Sequence, residues 1–167
     1  MSKEATKDLE QIGVYMEVVK VDKNNCHLFD DMVFYRGNER YKNDDEQMET
    51  RDYTPYYDAL NISTFYVFAV QLEDKFVGYI FLNYLPKIGS TNGRGWLFVD
   101  DLWVNPHYRR KGIAHVLMKK ADAISQELNT MGLRLYVNAE NPGGIAFYEM
   151  CGYEQNFGMS MLMQKER

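Results

Sequence analysis

The chain has 167 residues, a net charge of −5 and two isolated cysteines, with 46% hydrophobic and 26% charged residues. This composition predicts one globular domain over 1–167, with an ordered core over 13–167, in the reducing cytoplasm, and it excludes a disordered chain. The acidic balance argues against a nucleic-acid partner, and the absence of any apolar run near the roughly 18 residues of a bilayer span argues against a membrane one.

Hydrophobic periodicity predicts, in chain order, a strand, two helices, three strands, a helix, a strand, a helix and a strand. These elements cover 15–21, 24–41, 44–60, 64–71, 76–84, 96–104, 111–129, 133–137, 144–150 and 159–163. The second helix is predicted to be short and joined to a loop, because Pro55 interrupts it. Since strands and helices do not alternate regularly, the order favours an α+β fold over a doubly wound one.

A basic turn that contains glycine joins the strand 96–104 to the helix 111–129. Its sequence is Arg109-Arg110-Lys111-Gly112-Ile113-Ala114. A helix N-terminus carries N–H groups without intrahelical acceptors and a partial positive charge, so anions bind there. Glycine has no Cβ and lets a phosphate approach the backbone closely. The turn is neither a P-loop nor a dinucleotide fingerprint, and taken alone it is better explained as a basic helix start on a solvated surface.

A second motif lies near the end of the chain. Asn141 begins a short helix, and Tyr148 follows seven residues later, about two turns along. The phenol of Tyr148 is able to donate a proton to a leaving group. Taken alone, Tyr148 is better explained as a buried tyrosine bonded to a carbonyl.

Together the two motifs resemble those of the GNAT superfamily of acetyl-coenzyme A-dependent N-acetyltransferases. Residues 109–114 match its Q/R-x-x-G-x-G/A signature, and 101–108 resemble its usual lead-in strand. Residues 141–153 resemble its N-x-x-A-x-x-x-Y-x-x-x-G-aromatic block, with Gly144 where alanine is commoner. The resemblance runs from about residue 64 to the end and is thin over 1–60, where the family's substrate specificity usually resides. It implies a mixed, mostly antiparallel central sheet flanked by helices.

The resemblance also implies acetyl-coenzyme A as cosubstrate, without a metal. The residues that it assigns to the cofactor are Leu102, Trp103, Val104, Arg109, Arg110, Lys111, Gly112, Ile113, Ala114, His115 and Asn141. The strand residues pair with the pantetheine arm through their backbone, the turn residues hold the pyrophosphate, and Asn141 contacts the arm near the thioester. Tyr148 protonates the departing thiolate. The amine attacks directly, which fits the absence of a nucleophile–base motif around either cysteine.

An amine is protonated at neutral pH and needs a base before it can attack. Asp100 and Asp101 lie in the middle of an otherwise apolar strand, and strict alternation places them on opposite faces. A strand end that reaches water explains them equally well. The resemblance favours Asp100, because diamine and polyamine acetyltransferases carry an acidic residue at the matching position. Asp101 and a water chain leading to a base are the alternatives.

The acceptor amine is predicted from the same motifs, which look most like the diamine and polyamine branch. An acidic, tyrosine-rich segment is a candidate cation site, although a solvated helix face explains it better. Its candidate residues are Asp44, Asp45, Glu46, Glu49, Tyr53, Tyr56 and Tyr57. The alternatives are an aminoglycoside acetyltransferase, a protein or peptide amine acetyltransferase, a non-catalytic acetyl-coenzyme A sensor, and a nucleotide- or phosphate-binding module without catalysis. The apolar run 159–163 permits a homodimer, as in many members, or a buried core strand.

Overall fold

The structure, a computed structural model, describes residues 16–48, 52–89 and 92–155. The chain divides into two compact units, 1–136 and 137–167. Residues 1–12, which precede the predicted ordered core, and the predicted strand 159–163 lie outside the described residues. The single domain over 1–167 stays a prediction. Among the described helices, none has the length and apolarity needed to cross a bilayer.

The first unit contains a mixed five-stranded sheet. Its strands are β1 (Met16–Lys20), β2 (Phe65–Leu72), β3 (Lys75–Leu85), β4 (Trp96–Val104) and β5 (Leu133–Leu135). Its helices are α1 (Cys26–Asn38), α2 (Asp44–Met48), α3 (Thr54–Leu60), a 3-10 turn (Pro106–Tyr108) and α4 (Ile113–Glu127). The strands lie in sequence order, with β1 to β4 antiparallel and β5 parallel to β4. The predicted α+β fold with a mostly antiparallel sheet and flanking helices is confirmed. The second unit contains α5 (Pro142–Met150).

Helices α1 and α4 each pack against the sheet. Cys26 and Met32 of α1 belong to one buried cluster with Val67 of β2 and with Tyr79 of β3. On α4, the buried side chains repeat every three or four residues, so the helix has one apolar face, which it lays against the sheet. These side chains are Ile113, Leu117, Met118, Ala121 and Ile124. The packing fixes where α4 begins relative to the end of β4.

The segment 44–60 forms two helices where one was predicted. Pro55 lies in the first turn of α3, where its missing N–H would have no intrahelical partner. The proline therefore starts a helix. Helix α1 is shorter than predicted, because Glu39 adopts a left-handed conformation with φ 55° and its N–H bonds to the Tyr35 carbonyl.

A buried ion pair ties α1 to the segment before α2. The side chains of Lys42 and Asp30 are only 3% and 4% exposed, and their charged atoms are in direct contact. The Lys42 Nζ atom also lies 3.1 Å from Asp31 Oδ1, and the Tyr56 hydroxyl donates to Asp30 Oδ1 at 3.1 Å. This network joins α1 and α3 through the buried Asp30 carboxylate.

Candidate active site

A buried asparagine, Asn105, directly follows strand β4 and anchors the turn after it. The Asn105 side chain accepts a hydrogen bond from the His107 N–H at 3.0 Å and donates one to the Tyr41 hydroxyl at 3.2 Å. Its backbone N–H donates to the Val77 carbonyl at 2.9 Å. Because Asn105 is 1% exposed, the chain leaves the sheet in one fixed direction.

Helix α4 begins directly behind Gly112 and carries no cap. Gly112, the N-cap residue, has φ 83° in the left-handed region and provides no side-chain cap for the first turn. The first bond within the helix runs from the Val116 N–H to the Gly112 carbonyl at 3.0 Å. The N–H groups ahead of it have no carbonyl to reach within the helix, and the first turn contains no acidic residue. This helix end is therefore suited to hold an anion.

Three exposed cationic side chains precede this helix end. The Arg109 Nε atom donates to the Val104 carbonyl at 3.1 Å, so the guanidinium folds back onto the end of β4. The Lys111 Nζ atom lies 5.2 Å from the centre of the Tyr108 ring. Arg110 has φ 64°, and the space where a Cβ of Gly112 would point is open. The turn therefore combines positive charge with backbone that a ligand can approach.

Strand β4 has a free edge next to this turn. It pairs with β3 along its length but with β5 only through Leu97, Phe98 and Val99. Within the described residues, no strand pairs with 100–104 on the β5 side. Unpaired N–H and C=O groups at a sheet edge can bind an extended ligand as an added strand. Leu102, Trp103 and Val104, which the resemblance assigns to the pantetheine arm, lie on this edge.

The register of β3 and β4 slips at the two aspartates. Phe81 lies opposite Asp101 and Leu82 lies opposite Val99, so Asp100 is the extra residue of a β-bulge. A bulge interrupts the alternation of side chains. The assignment of Asp100 and Asp101 to opposite faces, which assumed strict alternation, is therefore not supported. Asp100 is exposed, whereas Asp101 is partly buried.

Asp101 is held by two partners that the sequence did not indicate. The Tyr79 hydroxyl donates to Asp101 Oδ2 at 2.7 Å, and the Arg36 Nη1 atom donates to the same oxygen at 2.6 Å. Burial, followed by the hydrogen bond to Asp101, raises the pKa of Tyr79 well above its ordinary range. Burial lowers the pKa of Arg36, but the hydrogen bond to Asp101 and the nearby charges raise it by more. Both groups thus keep the protons that they donate.

The second unit places its two predicted residues on one short helix. The Asn141 Oδ1 atom caps α5 by accepting a hydrogen bond from the Gly144 N–H at 2.9 Å. An ideal Cβ on Gly144 would lie 2.6 Å from Nδ2, at the end of the Asn141 side chain. Tyr148 is half-buried, with its ring 5.3 Å from that of Phe147 and 5.9 Å from that of Tyr153. The structure thus gives Asn141 a capping role in its own helix.

The acidic, tyrosine-rich segment does not line a cation site in the described residues. Arg40 binds both carboxylate oxygens of Glu46, at 2.7 and 2.8 Å. This interaction, with the Asn43 N–H, lowers the pKa of Glu46 to about 2. Tyr53 and Tyr57 pack against the buried cluster under α1. Asp44 and Asp45 are exposed, which fits a solvated helix face, and Glu49 lies outside the described residues.

The first unit therefore brings together most of the predicted site. Its predicted residues form two stretches, one from the bulge to the end of β4 and one from Arg109 to the first turn of α4, where His115 is half-buried. Sequence reasoning missed Arg36 and Tyr79. One signal pointed to them, because a partly buried carboxylate in a strand needs a partner. In the described residues, no group of three or more His, Cys, Asp or Glu side chains could hold a metal ion.

Comparison with known proteins gives one family match. Residues 10–153 match the family model described as Acetyltransferase (GNAT) family. An uncharacterized N-acetyltransferase of Methanocaldococcus jannaschii is 27% identical over 88 residues, which are 53% of this chain and 38% of that protein. The match thus spans well under half the length of this curated relative.

Solved structures share the fold. An aminoglycoside acetyltransferase from an uncultured soil metagenomic sample, solved in complex with trehalose, has a TM-score of 0.70 and 21% identity, covering 90% of this chain and 97% of that one. An aminoglycoside N-acetyltransferase solved in complex with CoA has a TM-score of 0.68 and 14% identity, covering 93% of this chain and 97% of that one. At these identities the likeness shows the fold.

Proposed function

Because the chain belongs to the acetyltransferase (GNAT) family, we propose that it moves an acetyl group from acetyl-coenzyme A directly to a primary amine. The family match confirms the predicted enzyme class, N-acetyltransferase, at the level of the family. The observation that carries the proposal for this chain is the uncapped, basic N-terminus of α4, next to the free edge of β4.

The residues of the first unit fit acetyl-coenzyme A. The open N–H groups behind Gly112 are suited to the pyrophosphate, and Arg109, Arg110 and Lys111 add positive charge. The free edge of β4 from Leu102 to Val104 is suited to the amide groups of the pantetheine arm. When bound, the cofactor supplies a thioester whose acetyl carbon is open to attack. Asn141 is proposed to contact the arm near that thioester.

The proposed chemistry removes two protons from the nitrogen of the ammonium group and supplies one to the departing thiolate, so that one proton is released to solvent. Asp100 is the proposed base, because it is exposed and has no partner on β3, whereas Asp101 already binds Arg36 and Tyr79. The amine nitrogen, once neutral, forms the new bond to the acetyl carbon, and the bond from that carbon to sulfur breaks. Tyr148 gives its phenolic proton to the departing sulfur, and the nitrogen loses its second proton as the amide forms. One of the two protons from the nitrogen restores Tyr148 through solvent, and the other is released.

For the acceptor we propose a small cationic amine such as a diamine or polyamine. The two carboxylates at the bulge and the net charge of −5 support a cationic substrate. An aminoglycoside is the second candidate, because both solved structures described above are named as aminoglycoside acetyltransferases. The cytoplasmic location and the homodimer stay predictions.

A thermal-shift panel followed by a thiol-release assay tests the proposal. Acetyl-coenzyme A should stabilise the protein and ATP should not. Spermidine, a small diamine, an aminoglycoside and a lysine peptide are then each added with acetyl-coenzyme A, and at least one should release the coenzyme A thiol. Stabilisation without release by any amine would favour the sensor. Equal stabilisation by ATP would favour a nucleotide-binding module.

A further inference from the structure

The two carboxylate oxygens of Asp101 have different surroundings. Oδ2 accepts hydrogen bonds from the Tyr79 hydroxyl at 2.7 Å and from Arg36 at 2.6 Å. Oδ1 accepts none from any residue that the structure describes, and the side chain is 32% exposed. A carboxylate oxygen has two lone pairs, so Oδ1 is able to accept hydrogen bonds from a ligand.

Aromatic rings pack around Tyr79, which donates to this carboxylate. The Tyr79 ring stacks on Trp103 at 6.0 Å and lies 4.8 Å from Phe81 and 5.3 Å from Phe29. Phe81 is directly opposite Asp101 across the two strands, and Trp103 is two residues further along β4. Ring faces attract cations, and an ammonium group needs an oxygen acceptor as well. The Phe81 and Trp103 rings lie on the same part of these two strands as the acceptor oxygen of Asp101.

The charge at this position is balanced. The Arg36 guanidinium is 44% exposed and binds only the Oδ2 side of Asp101. The pair therefore carries no net charge, while its Oδ1 atom offers a hydrogen-bond acceptor and the exposed Asp100 next to it supplies one negative charge. This arrangement suits a single ammonium group, as at one end of a diamine.

Tyr79 fixes the direction in which Asp101 points. Its side chain is buried, with the residue 2% exposed, and its ring is packed on three sides by other rings. A hydroxyl on such a ring has little freedom, so the hydrogen bond to Oδ2 holds the carboxylate in one orientation. Without the hydroxyl, only the partly exposed Arg36 would hold it.

We propose that Tyr79 is a positioning residue of the acceptor site, which holds Asp101 so that its Oδ1 atom binds an ammonium group of the amine. This inference rests on the proposed function and divides the work of the two aspartates. Asp101 binds the amine, and Asp100 removes its proton.

A double-mutant cycle tests the inference on the best substrate of the amine panel. Asp101→Asn should raise the KM for the amine about tenfold or more, because it removes the charge from an ion-assisted hydrogen bond. Tyr79→Phe should raise it about threefold or more, with a smaller change in kcat. Tyr79→Phe added to Asp101→Asn should raise the KM no further, because Tyr79 acts through Asp101. The matched control is Tyr66→Phe on β2. The Tyr66 hydroxyl donates to the Ser63 carbonyl, so its removal should leave the KM for the amine unchanged.

Acetyl-coenzyme A affinity, from the thermal shift, reports whether each variant keeps its fold. An unchanged KM for the amine in Tyr79→Phe, or additive effects on KM in the double variant, would overturn the inference. Turnover by the wild-type protein would still support the proposed function in that case. If the wild-type protein acetylates no amine of the panel, the proposed function fails and the inference fails with it.

Discussion

Gly78 on β3 lies against Ile113, the first residue of α4. A Cβ on Gly78 would come within 3.0 Å of the Ile113 Cγ2 atom and within 3.0 Å of the Trp103 carbonyl oxygen. The glycine therefore lets the start of α4 approach the sheet at the end of β4. This approach places the uncapped helix end beside the free strand edge.

Gly78→Ala should weaken acetyl-coenzyme A binding by moving that helix end. Relieving the contacts of the new Cβ requires α4 or β4 to shift, at a cost of about 1–3 kcal/mol in stability. Thermal-shift titration with acetyl-coenzyme A measures the change in affinity. Gly37→Ala is the control, because nothing lies within 4 Å of its Cβ position in α1, and it should bind the cofactor normally. Unchanged binding in Gly78→Ala would mean that this packing does not set the position of the helix end.

Gly112→Glu should abolish acetyl-coenzyme A binding, because it places a negative charge and a side chain at the pyrophosphate position. A non-glycine residue at φ 83° also costs about 1–2 kcal/mol in stability. Gly93→Glu separates the two effects, since Gly93 has a similar φ of 77° and nothing within 4 Å of its Cβ position. The control should lose comparable stability and keep its affinity. If calorimetric titration finds normal affinity for acetyl-coenzyme A in Gly112→Glu, the proposed pyrophosphate site at the start of α4 is refuted.

Asp100→Asn should lower kcat about 100-fold or more, the usual contribution of a general base. The amide has the size of the carboxylate and accepts no proton from the ammonium, so the KM for the amine should change little. Steady-state kinetics on the best panel amine measures both constants. A large loss of kcat in Asp101→Asn, with little loss in Asp100→Asn, would transfer the role of base to Asp101.

Tyr148→Phe should lower kcat about 100-fold or more, as for Asp100→Asn, and barely change acetyl-coenzyme A binding. The variant keeps the ring, which packs near Phe147 and Tyr153, and removes only the hydroxyl that protonates the thiolate. Single-turnover thiol release compared with a binding titration separates the two effects. Tyr136→Phe, at a position 80% exposed, is the control. Equal losses of binding and turnover would exclude Tyr148 as the acid.

Lys42→Met should destabilise the protein by about 3–5 kcal/mol, because it removes the ammonium group that directly contacts the buried Asp30 carboxylate. Burial lowers the pKa of Lys42, but its hydrogen bonds to Asp30 and Asp31 raise the pKa by more. The stabilisation is therefore complete below the unfolded pKa of about 10.4 and is lost as pH rises through the higher folded pKa. Urea unfolding at neutral and alkaline pH measures both effects, with the exposed Lys119→Met as control. A neutral-pH loss no larger than that of the control would contradict the account.

Much of the site was predictable because local sequence determines it. Asn105-Pro106 ends β4 at Val104, where the prediction placed its end, and Gly112 marks the start of α4. Both depend on backbone conformations that only a few residue types favour. Periodicity predicted the order of the described strands and helices except in the segment 44–60, which forms two helices instead of one.

The rest depends on contacts between distant segments. The bulge at Asp100 arises from the register of β4 on β3, and strict alternation along one strand cannot indicate it. The partners of Asp101 come from positions 65 and 22 residues earlier in the chain. The packing of Tyr53 against the buried cluster is likewise a tertiary contact, and it involves a side chain that the sequence offered as part of a candidate cation site.

Mass spectrometry of the amine after incubation with the protein and acetyl-coenzyme A tests the central claim most directly. The account predicts an N-acetylated product from at least one small cationic amine, formed in step with the release of coenzyme A and absent with Gly112→Glu. Binding of acetyl-coenzyme A without any acetylated amine, across the whole panel, would contradict it.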